Sequence, residues 1–312
     1  IGLSGSGRLI DWELFHRPNK RSMNGFSHFA VKAESGGELL DARVLNGDLP
    51  PPYMGEPLRG GPLHSGYGFG PHNWTMAGMP HFEELEFCGE FPFAKLTFSD
   101  RSFPGPVEWT AFNPFIPMND ADSCIPAAFF EVRFSNPTDR PIAYTLCLSV
   151  SNPTRAGENA HSFRRCGGAE QAVHALTLQS GGEASPDPRA GGLTMATDHP
   201  EVSRQEYWYR GAWNDNLETF WRDFTRPGKL PNRCYAEPLP SRCPNDTASL
   251  AAHADVPPGG EARIRFVLSW HYPVAYNYWN PAEPNPPWTP HYATRFADSA
   301  ESAVYALTEW ER

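Results

Sequence analysis

The sequence predicts an all-β protein, built as a large two-sheet antiparallel β-sandwich with a short capping helix and a C-terminal helix. Its 33 prolines and 27 glycines divide the 312 residues into short segments. Most of these segments alternate polar and apolar residues and are rich in aromatic and β-branched types, which is typical of strands. Because no long helices separate them, two packed antiparallel sheets are the expected arrangement.

Period-2 alternation identifies the individual strands. The larger apolar residues fall at Phe130, Val132 and Phe134 in one segment, which places them on one face of a half-buried strand. The same reasoning predicts strands at 28–34, 39–46, 82–88, 91–98, 106–113, 127–135, 142–151, 173–180, 191–197, 202–210, 247–255 and 261–270.

Two segments have helical periodicity instead. Residues 216–224 place apolar side chains at spacings of three and four, and Pro227 and Gly228 follow, so a short helix is expected to cap an open end of the sandwich. Residues 298–311 begin with Asp298 and Glu301 in a capping-box pattern and carry an apolar stripe. That stripe needs a partner surface, and we expect the helix to fold back onto the sandwich.

Composition excludes several classes of function. A formal charge of −10 and a pI of about 5.6, without basic runs, argue against a nucleic-acid partner. No apolar stretch is long enough to span a membrane. The six scattered cysteines favour free thiols in a reducing, cytoplasmic compartment, with Cys234 and Cys243 the pair best spaced for a loop disulfide. The chain starts at Ile1 with a motif already under way, so we expect residues upstream of it.

No pattern for cofactor or metal binding stands out. The glycines at 2–7 follow no strand and precede a poor helix start, which argues against a phosphate-binding loop. His64, His72 and His81 are eight and nine residues apart and lack metal-ligand spacing. Glu83, Glu84, Glu86 and Glu90 alternate along a predicted strand as a solvated face does. We therefore predict no cofactor and no metal site.

The candidate site residues are aromatic and lie near the end of the chain. They are Trp270, His271, Tyr276, Trp279 and Trp288, with asparagines at 277, 280 and 285 between them. Aromatic faces can stack on sugar rings while amides bond hydroxyl groups, which would make this segment a substrate rim. The same rings could instead be packing residues that fill an interface, which is the commoner role for such rings. The second interpretation is favoured.

Five stretches of the chain resemble the N-terminal region of glycoside hydrolase family 116, which includes bile-acid-type β-glucosylceramidases and bacterial β-glucosidases. The most informative is Asn113-Pro-Phe-Ile-Pro117 with Asp122-Ser-Cys-Ile-Pro126, followed by a strand ending at Asn136. Phe266-Val-Leu-Ser-Trp-His-Tyr-Pro273 resembles the last sandwich strand of the family, although His271 replaces the usual aspartate. The other three stretches are 1–15, 216–228 and 291–311.

The resemblance implies a domain organisation and a function. Residues 1–290 would form the β-sandwich, of a supersandwich-like type, and 291–312 would be a C-terminal linker helix leading to a catalytic (α/α)6 barrel outside this chain. The parent would be a retaining β-glycosidase acting on β-glucosides, with the catalytic carboxylates in the barrel. This chain would support the barrel and contribute to the substrate entrance. A stand-alone carbohydrate-binding sandwich is the alternative.

Overall fold

The computed structural model describes residues 1–49, 72–155, 159–167, 172–181, 186–211, 215–233, 245–281 and 284–311. Their strands, in chain order, are β1 (Gly2–Leu3), β2 (Leu9–Ile10), β3 (His28–Ser35), β4 (Glu38–Val44), β5 (Glu84–Glu90), β6 (Phe93–Ser99), β7 (Val107–Phe112), β8 (Ala127–Ser135), β9 (Ile142–Arg155), β10 (Asn159–Gly167), β11 (Ala172–Ser180), β12 (Gly191–Thr197), β13 (Val202–Gln205), β14 (Asn245–Val256) and β15 (Glu261–His271). The helices are α1 (Asp120–Ser123), α2 (Asp215–Phe224), α3 (Tyr292–Arg295) and α4 (Ser299–Thr308), and Asn73–Thr75 forms a 3₁₀ turn.

The strands form two large antiparallel sheets and one small ribbon. One sheet has eight strands in the order β10-β11-β12-β15-β8-β7-β6-β5, and the other has five in the order β13-β14-β9-β3-β4. Strands β1 and β2 pair with each other. The predicted two-sheet antiparallel sandwich is therefore confirmed.

The core lies between the two sheets and uses the residues that the alternation predicted. Phe130, Val132 and Phe134 of β8 point inward and are almost completely buried. From the other sheet, Phe29 of β3 meets Phe130 with the ring centres 5.1 Å apart, and it meets Trp109 of β7 at 4.9 Å. Each such side chain contributes about 1.5–3 kcal/mol when it is fully buried, so this layer dominates stability.

Helix α4 packs on the outer face of the eight-stranded sheet, as predicted. Small side chains there, such as Ala175 and Ala196, leave room for Ala300, Ala303 and Leu307 of the helix. Reciprocal bonds close to a capping box are present: Asp298 Oδ1 accepts from Glu301 N–H at 2.7 Å, and Glu301 Oε2 accepts from Ala297 N–H, one residue before the N-cap, at 2.6 Å. The helix thus begins and docks where the sequence indicates.

Helix α2 forms at the predicted residues, but it packs on a different part of the sandwich from the one that was predicted. It lies on the outer face of the five-stranded sheet rather than over an open end of the sandwich. Phe220 and Phe224 bury their rings against the small residues Ala30, Cys147 and Ala251. Large rings on small side chains fill the space at close-packed density, which decides the position of this helix.

Other strand predictions need smaller corrections. Strand β10 was not predicted, and β13 ends at Gln205 rather than at residue 210. Beyond Gln205 the regular pairing with β14 stops, although the backbone N–H of Trp208 still bonds Thr247 O of β14 at 2.8 Å. The glutamates of 83–90 are exposed, as expected for a solvated face. The predicted loop at 49–82 falls largely outside the described residues, as do His64, Cys234 and Cys243.

Candidate functional site

Three connections leave the eight-stranded sheet at the same end. Strands β6, β7, β8 and β15 are adjacent, with Phe93 paired to Phe112, Phe112 to Phe129, and Ser269 to Ala127. The turn at 91–92, the connection 113–126 and the segment 272–298 therefore all lie at the same end of this sheet. We call this the aromatic end. The opposite, short-turn end carries the tight connections 36–37, 136–141 and 257–260.

All five predicted site residues lie at the aromatic end. Trp270 and His271 are the last residues of β15, and Tyr276, Trp279 and Trp288 belong to the segment that follows. Trp270 was expected to be buried, but it is half-buried, because its ring lines an open cleft beside Tyr292. The His271 Nε2 lies 3.0 Å from Phe296 O, and burial lowers the pKa of the ring.

Hydrogen bonds among His16, Tyr272 and Tyr292, which the sequence did not reveal, hold the start of this segment in place. The Tyr292 hydroxyl accepts from Tyr272 N–H at 3.1 Å and donates to Tyr272 O at 2.9 Å. His16, from the far end of the sequence, places its Nε2 3.0 Å from the same carbonyl oxygen and its ring centre 6.0 Å from that of Tyr292. Burial raises the pKa of Tyr292 to about 12. The phenol therefore stays protonated and can donate its hydrogen bond.

Trp288 is held in place by the backbone. Ala275 and Trp288 exchange two N–H···O bonds of 2.9 and 2.8 Å, which closes the segment into a short antiparallel bridge. The Trp288 ring lies 5.6 Å from that of His16 and remains 49 % exposed. Tyr276 donates its hydroxyl to Pro186 O at 3.0 Å, which ties the segment to the connection before β12.

The asparagines of this segment build a turn. Asn277 Oδ1 accepts from the backbone N–H groups of Trp279 and Asn280 at 3.1 and 3.2 Å. Asn277 Nδ2 donates to Asn280 O, and Asn285 Nδ2 donates to Asn277 O, both at 3.0 Å. Such side-chain bonds pre-form a loop. As a result, the Trp279 ring is carried on an ordered turn and is 82 % exposed.

The connection 113–126 is ordered by its own polar residues. Ser123 Oγ accepts from Ile116 N–H at 2.9 Å and donates to Ile116 O at 3.1 Å. Asp122 Oδ1 accepts from the Tyr305 hydroxyl at 2.6 Å, which joins the connection to α4. Asp122 and Ser123 of the sequence motif therefore order this connection, on which Phe115 and Met118 are exposed to solvent.

Two clefts adjoin each other at this end. One has a volume of about 430 Å³ and includes Trp270, Tyr292 and Asn113 in its walls. The other, of about 230 Å³, lies between the 113–126 connection and α4. They share Pro92, Phe112 and Ile125. Both are lined mainly by apolar side chains, as binding clefts usually are.

The aromatic end is not the place where the structure has a carboxyl group with a raised pKa, and the described residues offer no metal site. Burial raises the pKa of the Asp198 carboxyl group, but Asp198 follows β12 at the short-turn end and is no part of the candidate site. In the part of the chain that the structure describes, no three His, Cys, Asp or Glu side chains are grouped so as to hold a metal ion. Among the same residues, no helix has the length and apolar character needed to cross a membrane.

Comparison with known proteins identifies the family. A family model described as "beta-glucosidase 2, glycosyl-hydrolase family 116 N-term" matches residues 1–312. No curated protein matches the chain. Among solved structures, one match is "Putative kojibiose phosphorylase from human microbiome", at 9 % identity and a TM-score of 0.29, covering 80 % of this chain. This chain corresponds to 26 % of that protein's length. The chain belongs to the N-terminal domain family of family 116 glycoside hydrolases.

Proposed function

We propose that this chain is the non-catalytic sandwich of a retaining β-glucosidase, and that its aromatic end faces the catalytic (α/α)6 domain and the substrate entrance. In this proposal residues 1–290 are the sandwich and 291–312 link it to the catalytic domain. The substrates are β-glucosides, including glucosylceramide-like lipids. Family membership supports the reaction class, and the arrangement of the connections supports the orientation.

One observation carries the proposal. The segment 272–292 presents Trp279 and Trp288 to solvent on a backbone fixed by the Ala275–Trp288 bridge and the Asn277 turn. An exposed tryptophan on an ordered loop loses little conformational entropy on contact, whereas exposure in the free state brings no benefit to stability. Such a ring is suited to stack on a sugar or to pack on a neighbouring domain.

Kinetics of the full-length glucosidase test the role at the substrate entrance. Trp279→Ala and Trp288→Ala are expected to raise KM for aryl β-glucosides about tenfold with kcat little changed, because stacking contributes about 1–2 kcal/mol to binding away from the reacting atoms. Phe87→Ala is the matched control, since Phe87 is an exposed ring on β5 away from this segment. Unchanged KM values in both tryptophan variants would contradict this role.

The alternative is a carbohydrate-binding sandwich that acts without a catalytic domain. It is supported by the 82 % exposure of Trp279, which suits a sugar platform as well as an interface. Calorimetric titration of the chain alone with gluco-oligosaccharides separates the two functions. Saturable binding that Trp279→Ala abolishes would favour the alternative. No heat of binding is expected if the tryptophans work only beside a catalytic domain.

The cysteines support a reducing compartment, and we place the protein in the cytoplasm. Cys88, Cys124, Cys147 and Cys166 are unpaired, and the first two are exposed. Exposed thiols oxidise readily outside a reducing environment. Titration with a thiol reagent before and after reduction checks the assignment, with both exposed thiols expected to react without reduction.

A further inference from the structure

His16 uses only one of its two ring nitrogens to hold the aromatic segment. Its Nε2 lies 3.0 Å from Tyr272 O and 3.3 Å from the Tyr292 hydroxyl. A carbonyl oxygen can only accept, so in the neutral ring Nε2 carries the proton and Nδ1 is left as an acceptor. The side chain is half-buried, and Nδ1 neither has a partner among the described residues nor belongs to their buried polar atoms. Nδ1 is therefore open to solvent.

The loop that carries His16 is ordered by its own side chains. Asp11 Oδ1 accepts from Arg21 N–H at 2.6 Å, and Asn19 Nδ2 donates to Trp12 O at 3.1 Å. His16 itself has a φ of 56°, in the left-handed region that residues other than glycine seldom adopt. Such a conformation persists only where the surrounding structure imposes it, and functional sites are enriched in it. The imidazole is thus fixed in place before any ligand binds.

Trp288 supplies an apolar face beside this acceptor. Its ring centre lies 5.6 Å from that of His16, with the two rings inclined by 54°, and the side chain is 49 % exposed. The backbone bridge to Ala275 holds the ring there. A pyranose ring can stack one apolar face on an aromatic ring while the hydroxyl groups at its edge meet polar atoms. An aryl group would also stack, but it would leave Nδ1 without a hydrogen bond.

We infer that His16 and Trp288 form a subsite for a pyranose ring in the leaving group of the substrate. The ring stacks on Trp288, and one of its hydroxyl groups donates to His16 Nδ1. The inference rests on the proposed function, in which the glucose that is released lies in the catalytic domain and the substrate entrance meets the leaving group. The subsite favours β-linked gluco-oligosaccharides, because they make a hydrogen bond that an aryl leaving group cannot make.

Two amide substitutions separate substrate binding from support of the segment. In His16→Gln the amide nitrogen can replace Nε2 and keep the bond to Tyr272 O, but nothing replaces Nδ1, whereas in His16→Asn the amide oxygen can replace Nδ1. Both are measured in this chain joined to its proposed catalytic domain. His16→Gln should raise KM for cellobiose about fivefold with kcat little changed, because one neutral hydrogen bond is lost. His16→Asn should keep KM within about twofold of the wild-type value.

The control substrate is para-nitrophenyl β-glucoside, whose leaving group has no hydroxyl to donate. Its KM should not change in His16→Gln. An unchanged KM for cellobiose in His16→Gln would overturn the subsite. An equal rise for both substrates, or an equal rise for cellobiose in both amide variants, would show that His16 only supports the segment and would also overturn it.

Trp288→Ala tests the proposed function separately, since loss of stacking should raise KM for both substrates. A rise in Trp288→Ala without a rise in His16→Gln would reject the subsite and leave the substrate entrance in place. No rise for either substrate in Trp288→Ala would contradict the role of this ring at the entrance, and the subsite would fail with it.

Discussion

At the short-turn end of the sandwich, polar groups satisfy each other, whereas at the aromatic end rings are left in solvent. Asn136 illustrates the first case. Its side chain is buried, donates to Arg140 O and Val256 O at 2.8 and 2.9 Å, and accepts from Thr138 N–H at 3.0 Å. Trp279 illustrates the second, because polar groups hold its turn but leave its ring 82 % exposed.

The difference separates stability from function. Polar groups that close tight turns contribute to the free energy of unfolding, and the short-turn end uses them fully. Long connections tolerate exposed residues and usually carry binding sites on a rigid scaffold. The same two sheets therefore provide a stabilised end and an end whose exposed rings, such as Trp279, contribute little to stability until a partner covers them. The following predictions test that division.

The largest effect is expected at the short-turn end. Asn136→Ala removes a buried hydrogen bond to Val256 O and the bonds to Arg140 O and Thr138 N–H, so it should lower the free energy of unfolding by about 3 kcal/mol. Asp139→Ala in the same connection is the control, because Asp139 is exposed and should change stability by less than about 0.5 kcal/mol. Urea denaturation measures both, and equal midpoints would contradict the role given to Asn136.

A second effect depends on pH. His161 of β10 is buried, its Nε2 has no partner among the described residues, and burial lowers its pKa from 6.5 to about 4. Between these values the unfolded chain binds a proton that the folded chain does not. The contribution of the neutral ring to stability is therefore complete above pH 6.5 and is lost as pH falls towards 4.

This loss should amount to about 2 kcal/mol between pH 7.5 and pH 5. His161→Phe keeps a ring to stack on Tyr207, whose centre is 4.4 Å away, and it removes the titrating group. Denaturation curves at the two pH values should therefore differ by about 2 kcal/mol less in the variant than in the wild type. An unchanged difference would show that His161 does not contribute to the acid sensitivity.

A smaller change in the free energy of unfolding is expected where Tyr292 holds the start of the 272–292 segment. Tyr292→Phe keeps the ring but removes the hydroxyl that accepts from Tyr272 N–H and donates to Tyr272 O. We expect a loss of about 1 kcal/mol in the free energy of unfolding, together with faster amide exchange in 272–292. Exchange that is faster everywhere, or unchanged in this segment, would contradict a local anchoring role.

The smallest effect on stability belongs to the exposed ring. Trp279→Ser should change the free energy of unfolding by less than about 0.5 kcal/mol, because the side chain buries little surface in this chain. Denaturation of the chain alone measures this value. A loss above 1 kcal/mol would mean that the ring packs on the sandwich, and the contrast between the two ends would lose its clearest example.

Local patterns were sufficient to predict most of the fold. Alternation in 127–135 and the stripe in 298–311 each depend on a few neighbouring residues, and both elements form as expected. Strand β10 was missed because it is an edge strand whose many exposed polar residues weaken the alternation. Helix α2 was placed wrongly because the surface that receives it, which includes Ala30 and Ala251, is assembled from separate strands.

Only the part of the candidate site that depends on local sequence could be predicted. The aromatic residues of 270–292 stand out in the sequence, and they do lie at one end of the sandwich. The junction of His16 with Tyr272 joins residues 256 positions apart, which no local pattern can indicate. The half-burial of Trp270 depends on the cleft beside Tyr292, and that cleft exists only after the connections have come together.

Hydrogen–deuterium exchange tests the central claim most directly, by comparing this chain alone with the same chain joined to its proposed catalytic domain. The claim is that the aromatic end faces the catalytic domain. We expect amides of 91–93, 113–126 and 272–292 to be protected in the full-length protein, and those of 136–141 and 257–260 to exchange equally in both. Protection confined to the short-turn end, or no difference at either end, would contradict it.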